Sequence, residues 1–184
     1  PTRTGYTFNQ WSLTASDSGA TVSSVTPTSD MVVYAKWQAA SVNYTVVYWG
    51  ENADNEEYSV LATAVKQANS GTSQTLTATT GALPSNVIER AYFTFERSET
   101  VTIQANGSSV LNVYFQRNEY TVTFRIQKKY NSYTTIRAVT AKYDSDISNV
   151  WEAGAVKGYL DDGYVFQSSA TNDYYTFLQK MPNQ

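Results

Sequence analysis

Paired carboxylates come closest, among the residues of this sequence, to the spacing of a catalytic site. Glu56-Glu57 and Asp161-Asp162 are adjacent pairs, and glycosidases use two carboxylates about 5 to 9.5 Å apart, one of them with a raised pKa. Both pairs lie in polar stretches that predict solvated loops, where burial would not raise the pKa of either group. We therefore expect no catalytic residue in either pair.

Other reactive and metal-binding chemistries have less support. The chain contains no His and no Cys, which excludes histidine-based triads, thiol nucleophiles and the usual zinc and haem sites. Asp144 and Asp146 could offer oxygens to Ca²⁺, but an EF-hand loop also needs a glycine and a distal glutamate, so helix capping is the expected role. No Ser-x-x-Lys motif occurs. We expect a protein that is not an enzyme and has no metal and no cofactor.

Aromatic side chains near polar turns are the candidates for ligand binding. Exposed rings stack on the apolar faces of sugars while neighbouring polar groups orient them. Trp49, Tyr130 and Tyr133 lie in or beside polar turns and are the candidate residues for contact with surface glycans or proteins. Cross-strand packing on the open face of a sheet is the alternative role for such rings.

Composition limits the class of protein and of partner. With 41% hydrophobic and 16% charged residues the chain is expected to fold. A net charge of -3 gives no positive field for phosphates, so we expect no nucleic-acid partner. No apolar run approaches the roughly 20 residues that span a bilayer, so we expect no membrane insertion in this segment. The many Thr, Tyr and Val residues favour strands.

Alternation of apolar and polar residues, together with turn motifs, predicts the strands and the helix that would position these residues. Residues 120–126 alternate apolar and polar side chains, which predicts a strand with one solvated face, and residues 56–68 also favour a strand over a helix. Asn106-Gly107 predicts a type I′ hairpin turn. Residues 31–37 and 111–115 each predict a strand with its odd-numbered residues facing a core. Asp144 to Asp146 precede a predicted short helix around Ile147 to Trp151.

Short sequences that recur within the chain predict tandem units. Tyr44-Thr45-Val46 returns as Tyr120-Thr121-Val122 after a period of 76 residues, longer than solenoid repeats, so each unit should have its own small core. The predicted division is the end of one unit at 1–38, a complete unit at 39–118 and a divergent third unit at 119–184. Because the connections are short and contain no flexible spacer, adjacent units are expected to abut.

Two separated motifs carry a family resemblance. The segment PTRTGYTF at 1–8 with Trp11, followed by DMVVYAKW at 30–37, resembles the second half of the Listeria-Bacteroides repeat, the B repeat of internalin B, although Gln10 replaces the usual glycine. Residues 39–118 resemble related repeats of Gram-positive surface proteins, and residues 119–184 resemble them more distantly.

The resemblance implies a fold and a role. It implies a mostly β, α+β chain of tandem β-grasp-like units with few short helices, in a secreted protein at the cell surface or wall of a Gram-positive bacterium. We therefore expect a non-catalytic repeat segment that acts as a stiff spacer in adhesion and whose partners include adjacent repeat units. The alternatives are a glycan- or mucin-binding module and an accessory domain of an extracellular hydrolase.

Overall fold

The computed structural model describes residues 1–16, 19–129 and 132–148, and the described chain is mostly β. The one complete helical element in these ranges is a 3₁₀ turn at Arg90–Tyr92, and Ser148, at the edge of the described residues, also has 3₁₀ conformation. The strands, in chain order, are β1 Tyr6–Ser12, β2 Thr21–Val22, β3 Tyr34–Ala39, β4 Ser41–Glu51, β5 Tyr58–Asn69, β6 Ser73–Thr75, β7 Phe93–Ser98, β8 Thr100–Thr102, β9 Val110–Arg117, β10 Glu119–Lys129 and β11 Ser132–Lys142. None of the helices in the described ranges has the length and apolarity needed to cross a membrane.

The strands form four sheets within the described residues. A three-stranded sheet has the order β2-β1-β3, with antiparallel pairing, and a four-stranded sheet has the order β5-β4-β9-β7. The short strands β6 and β8 pair with each other, and β10 and β11 form an antiparallel ribbon. Residues 39–118 thus hold strands and the 3₁₀ turn, and the longer helix that a β-grasp fold requires is absent from this fully described range.

Contact density divides the chain into two compact units. The first unit contains Pro1–Tyr48, Leu61–Pro84 and Arg97–Val113; the second contains Trp49–Val60, Ser85–Glu96 and the chain from Tyr114 onward. The predicted boundary after residue 38 falls inside the first unit, and the predicted boundary after residue 118 falls inside the second. The three-unit division stays a prediction.

The first unit buries the apolar side chains that alternate along β4 and β9. Val46, Leu111 and Val113 are fully buried, and Ile103 is 1% exposed. Alternate side chains of a strand point to opposite faces, so this pattern makes one face of β4 and β9 a core face. The prediction of buried odd-numbered residues at 111–115 is confirmed.

The second unit buries aromatic side chains. Phe93 and Phe115 are buried, and the Phe115 ring meets the Phe95 ring edge to face with 5.8 Å between centroids. A separate cluster on the β10–β11 ribbon buries Phe124 and Ile147. Tyr120 and Val122 pack against that cluster, so the predicted strand and its apolar face are confirmed at these positions.

The prediction for residues 31–37 is confirmed for a strand at 34–37 and wrong for its start and its buried face. Strand β3 begins only at Tyr34, Met31 is 44% exposed and Val33 is 37% exposed. The buried side chain is that of Lys36, whose ammonium donates to the carbonyl oxygen of Ser16. The inward face therefore includes an even-numbered residue, and a small three-stranded sheet leaves the apolar residues before β3 without a core.

The Asn106-Gly107 turn has a different form from the one predicted. A type I′ turn needs a positive φ at both central residues, but Asp144 is the single non-glycine residue with positive φ among those described. Gly107 has φ 77° and donates its N–H to Gln104 O at 3.1 Å, so the turn runs from Gln104 to Gly107. The chain reverses where predicted, but β8 pairs with β6, and β7 is the neighbour of β9.

Gly5 makes a close approach that only glycine allows. Its φ is 73°, and a Cβ there would lie 2.5 Å from the Cβ of Ala105. Its carbonyl oxygen accepts the N–H of Ala40 at 2.9 Å, and Ala40 in turn accepts the N–H of Ser70 at 2.9 Å. These contacts fix the chain where it passes from β3 to β4, which we call the first joint.

We expect Gly5→Ala to destabilise the protein more than Gly107→Ala. Both substitutions place alanine at a positive φ, which costs about 1 to 2 kcal/mol, but a Cβ at Gly107 would have its nearest neighbour at 3.4 Å. Overlap at Gly5 adds about 1 to 3 kcal/mol. Urea denaturation of the two variants measures the difference, and equal losses would show that Gly5 and Ala105 are not in close contact.

Candidate functional site

The passage from β9 to β10 is held at Asn118 by four hydrogen bonds. Asn118 N donates to Tyr92 O and Asn118 O accepts from Tyr143 N, both at 2.8 Å. The side-chain Nδ2 donates to Ala91 O at 3.1 Å, and Oδ1 accepts from Thr94 Oγ1 at 2.6 Å. Every polar group of Asn118 thus has a partner, and the backbone there cannot rotate without breaking one of these bonds.

An ion pair with little exposure to solvent lies beside Asn118. The buried carboxylate of Glu51 accepts the N–H of Arg117 at 3.0 Å through Oε2 and lies 2.7 Å from Lys142 Nζ through Oε1. Lys142 Nζ also lies 3.1 Å from Glu56 and donates to Asn55 O at 3.2 Å. Because the side chains of Glu51 and Lys142 are only 11% and 17% exposed, solvent screens this pair less than a surface pair.

Aromatic rings stack in the same region, near Asn118. The rings of Tyr92 and Tyr143 stack with 3.9 Å between centroids and 21° between planes. The guanidinium of Arg117 lies 4.8 Å from the centroid of Phe93 and 5.7 Å from that of Tyr143, within cation–π range. Arg117 also donates Nε to Glu51 O at 3.0 Å. We call the contacts of Glu51, Arg117, Asn118, Lys142 and Tyr143 the second joint.

Two carboxylates hold the Lys142 side chain as a cation. Partial burial acts to lower the pKa of Lys142, but hydrogen bonds and negative charge from Glu51 and Glu56 outweigh it, and the pKa is raised. The Lys142–Glu51 contact is therefore an ion pair strengthened by a hydrogen bond.

We expect the free energy of unfolding to fall above about pH 10. Burial raises the pKa of Tyr44, Tyr48 and Tyr143 above 10.0, and the pKa of Lys142 lies above 10.5. A group whose folded-state pKa exceeds its unfolded-state value contributes fully below the unfolded value and loses that contribution as pH rises through the folded value. Urea denaturation at about pH 8, 10 and 11 measures this, and constant stability over that range would contradict it.

Three aromatic side chains of the second unit form a cluster on the surface of the four-stranded sheet. Trp49 on β4 and Tyr114 on β9 are half-buried, with 6.4 Å between ring centroids and 14° between planes. Tyr58 on β5 meets Tyr114 edge to face at 5.3 Å. The hydroxyl of Tyr58 donates to Glu96 Oε2 at 2.6 Å. We call Trp49, Tyr58 and Tyr114 the ring cluster.

The structure describes the side chain of one of the three predicted ligand-binding residues. Trp49 belongs to the ring cluster, Tyr133 lies in β11 but its side chain is outside the described residues, and Tyr130 is outside them altogether. Whether these three residues bind a ligand is untested. Sequence reasoning missed Tyr114, although it occupies an outward position between the inward Val113 and Phe115 of β9, which is the signal that could have found it.

The predicted acidic candidates are also accounted for. Glu56 and Glu57 are exposed, and Glu56 pairs with Lys142 as described. Asp146 N donates to Asp54 Oδ1 at 2.7 Å, and Asp146 Oδ1 accepts the N–H of Ser148 at 2.8 Å, as in a capping contact. Within the predicted helix around Ile147 to Trp151, Ser148 has 3₁₀ conformation. The part of that helix after Ser148 and the Asp161-Asp162 pair lie outside the described residues. The described residues contain no group of three or more carboxylates that could hold a metal ion.

Comparisons with known proteins do not place the chain in a family. No family model, no curated protein and no solved structure matches it. The resemblance of residues 1–37 to the Listeria-Bacteroides repeat therefore stays a hypothesis based on its motifs.

Proposed function

We propose that this chain is a non-catalytic tandem repeat segment of a bacterial cell-surface protein and that it acts as a stiff spacer in adhesion. The observation that carries the proposal is the full pairing of Asn118, with both backbone groups and both side-chain groups bonded at the passage from β9 to β10. A spacer keeps its two ends at a fixed distance only if the connections between its units resist bending. A connection without a free polar group and with neighbouring charges paired meets that requirement.

The first joint supports the same role by another means. There the chain is fixed by hydrogen bonds at Ala40 and by the close approach of Gly5 to Ala105. We propose that the tandem units are small β modules at an extracellular location, on the wall or surface of the cell. The sequence repeat between Tyr44 and Tyr120 supports the tandem arrangement. The β-grasp form is implied only by the family resemblance, and residues 39–118 lack the helix of that fold.

Spin-label distances across the second joint test the proposed stiffness. The chain has no native cysteine, so labels at Val60→Cys and Ala138→Cys, both exposed, are specific. We expect one narrow distance distribution by pulsed electron resonance. Asn118→Gly removes two side-chain hydrogen bonds and is expected to broaden the distribution, because glycine also frees the backbone.

A matched control is Asn106→Gly, which changes an asparagine in an exposed turn and is expected to leave the distribution unchanged. A broad distribution in the unsubstituted chain would contradict the spacer role. So would equal distributions in the Asn118→Gly and unsubstituted chains, because Asn118 would then not restrict the joint.

A further inference from the structure

We propose that Asn106 is a site of spontaneous deamidation and that the isoaspartate formed there disturbs the first joint. This modification goes beyond the spacer function, and its chemistry does not depend on that function. Asn106-Gly107 is the one Asn-Gly pair in the sequence. Asn106 is exposed, in the turn that runs from Gln104 to Gly107.

The reaction needs water and no other reagent. Hydroxide removes the proton of the Gly107 N–H, and this nitrogen attacks Cγ of Asn106. A bond forms between the nitrogen and Cγ, the bond from Cγ to Nδ2 breaks, and ammonia leaves with a proton from water, which regenerates hydroxide. The succinimide ring then adds water. Opening at Cγ gives aspartate, and opening at the backbone carbonyl carbon gives isoaspartate.

The glycine after Asn106 is the first argument. Gly107 has no side chain to shield its nitrogen, and glycine permits a close approach and backbone rotation that other residues resist. Its φ is 77°, and the nearest atom to a Cβ built there would be Asn43 O, at 3.4 Å. The hydrogen bond from Gly107 N to Gln104 O at 3.1 Å must open before attack, and such an opening is local to an exposed turn.

The hydrogen bonds of the Asn106 side chain are the second argument. Its Oδ1 accepts both the N–H and the hydroxyl group of Ser108, at 3.1 and 2.8 Å. The bond to the N–H two residues on keeps the side chain folded over its own turn. Two donors on Oδ1 also stabilise the negative charge that develops there as the nitrogen attacks Cγ. Ser108 therefore promotes the reaction.

Ala105 connects the reaction to the first joint. Its Cβ lies 2.5 Å from the position that a Cβ at Gly5 would occupy, so the two residues are in close contact. In isoaspartate the main chain runs through the former side chain, which adds a carbon atom to the backbone next to Ala105. Because the contact with Gly5 leaves no spare room, we expect the hydrogen bond from Ala40 N to Gly5 O, at 2.9 Å, to weaken.

Incubation of the full chain in mildly alkaline buffer, followed by peptide mass spectrometry, tests the reaction. We expect acid to replace amide at Asn106, at a rate that rises with pH. Asn69 is the internal control, because it is also exposed but precedes Ser70, which is buried and donates its N–H to Ala40 O at 2.9 Å. We expect conversion to be about tenfold or more faster at Asn106 than at Asn69. Equal rates at the two residues would overturn the proposal.

Ser108→Ala tests the contribution of the hydroxyl donor. It removes one of the two donors to Oδ1 and leaves the N–H in place, so the rate should fall by about threefold or more, the effect of one neutral hydrogen bond. Ser59→Ala is the matched control, because the Ser59 hydroxyl donates to another asparagine, Asn52, at 2.7 Å; it should leave the rate at Asn106 unchanged. An equal or faster rate in Ser108→Ala would overturn the promotion by Ser108.

Amide hydrogen exchange before and after conversion tests the effect on the first joint. We expect the Ala40 N–H to exchange faster in the converted chain and the Tyr143 N–H, at the second joint, to keep its rate. Asn106→Gln keeps an amide but would have to form a larger ring, so this variant should resist conversion and keep its Ala40 exchange rate through the incubation. An unchanged Ala40 rate in the converted chain, or equal changes at Ala40 and Tyr143, would each overturn a local effect on the first joint.

Discussion

Replacement of Leu111 by alanine is expected to lower the free energy of unfolding by about 2 to 5 kcal/mol. Leu111 is fully buried on β9. Removing its side chain loses the transfer free energy of the missing atoms and leaves a cavity that the rigid sheet cannot fill. Urea denaturation followed by far-UV circular dichroism measures the loss.

Val110→Ala is the control for Leu111→Ala. Val110 is the preceding residue of the same strand but is 48% exposed, so its loss should stay within about 0.5 kcal/mol. Similar effects of the two substitutions would mean that β9 does not have one buried and one solvated face.

Replacement of Glu51 by alanine is expected to lower the free energy of unfolding by about 2 to 3 kcal/mol. The substitution removes the acceptor for Arg117 N–H and the nearer carboxylate of Lys142. Lys142 retains only the exposed Glu56 as a charged partner in the described part of the chain. A donor and a cation with little access to water then lose their main partner, which costs more than a surface ion pair contributes.

The control for Glu51→Ala is Glu56→Ala, because both carboxylates contact the same ammonium group. The Glu56 side chain is 90% exposed, so its removal should change stability by less than about 0.5 kcal/mol. A larger effect of Glu56→Ala than of Glu51→Ala would show that burial does not determine the strength of this ion pair.

Local alternation predicted the strands whose two faces differ in environment. Residues 111–115 and 120–124 follow the expected pattern because one face of each meets a core, at Leu111 and at Phe124. The strand favoured over a helix at 56–68 is also observed, as β5 at Tyr58–Asn69. These predictions succeeded because the period-two pattern is a direct consequence of strand geometry.

Alternation failed where the sheet is small. Residues 31–37 show the same pattern, yet Met31 and Val33 are exposed and Lys36 is buried. A pattern reports which face could be apolar, and burial depends on what other elements cover that face. The three-stranded sheet β2-β1-β3 covers too little for Met31 and Val33 to be buried.

The second joint could not be predicted from spacing. Glu51 and Lys142 are 91 positions apart, and no local motif marks either residue as a partner of the other. Asn118 similarly reads as an ordinary polar residue between two strands, although its partners come from residues 91–94 and from Tyr143. The short connection predicted a close junction, but only tertiary structure identifies the bonds that restrain it.

Amide hydrogen exchange at the second joint tests the central claim most directly. The N–H groups of Asn118 and Tyr143 donate across the joint at 2.8 Å, and Ile103 N–H, which donates to Thr72 O at 2.9 Å, provides a core reference. We expect Asn118 and Tyr143 to exchange at rates close to that of Ile103 and far more slowly than the exposed turn amide of Ser108. Exchange of Asn118 and Tyr143 at the rate of Ser108 would show that the joint opens freely, which would contradict a stiff spacer.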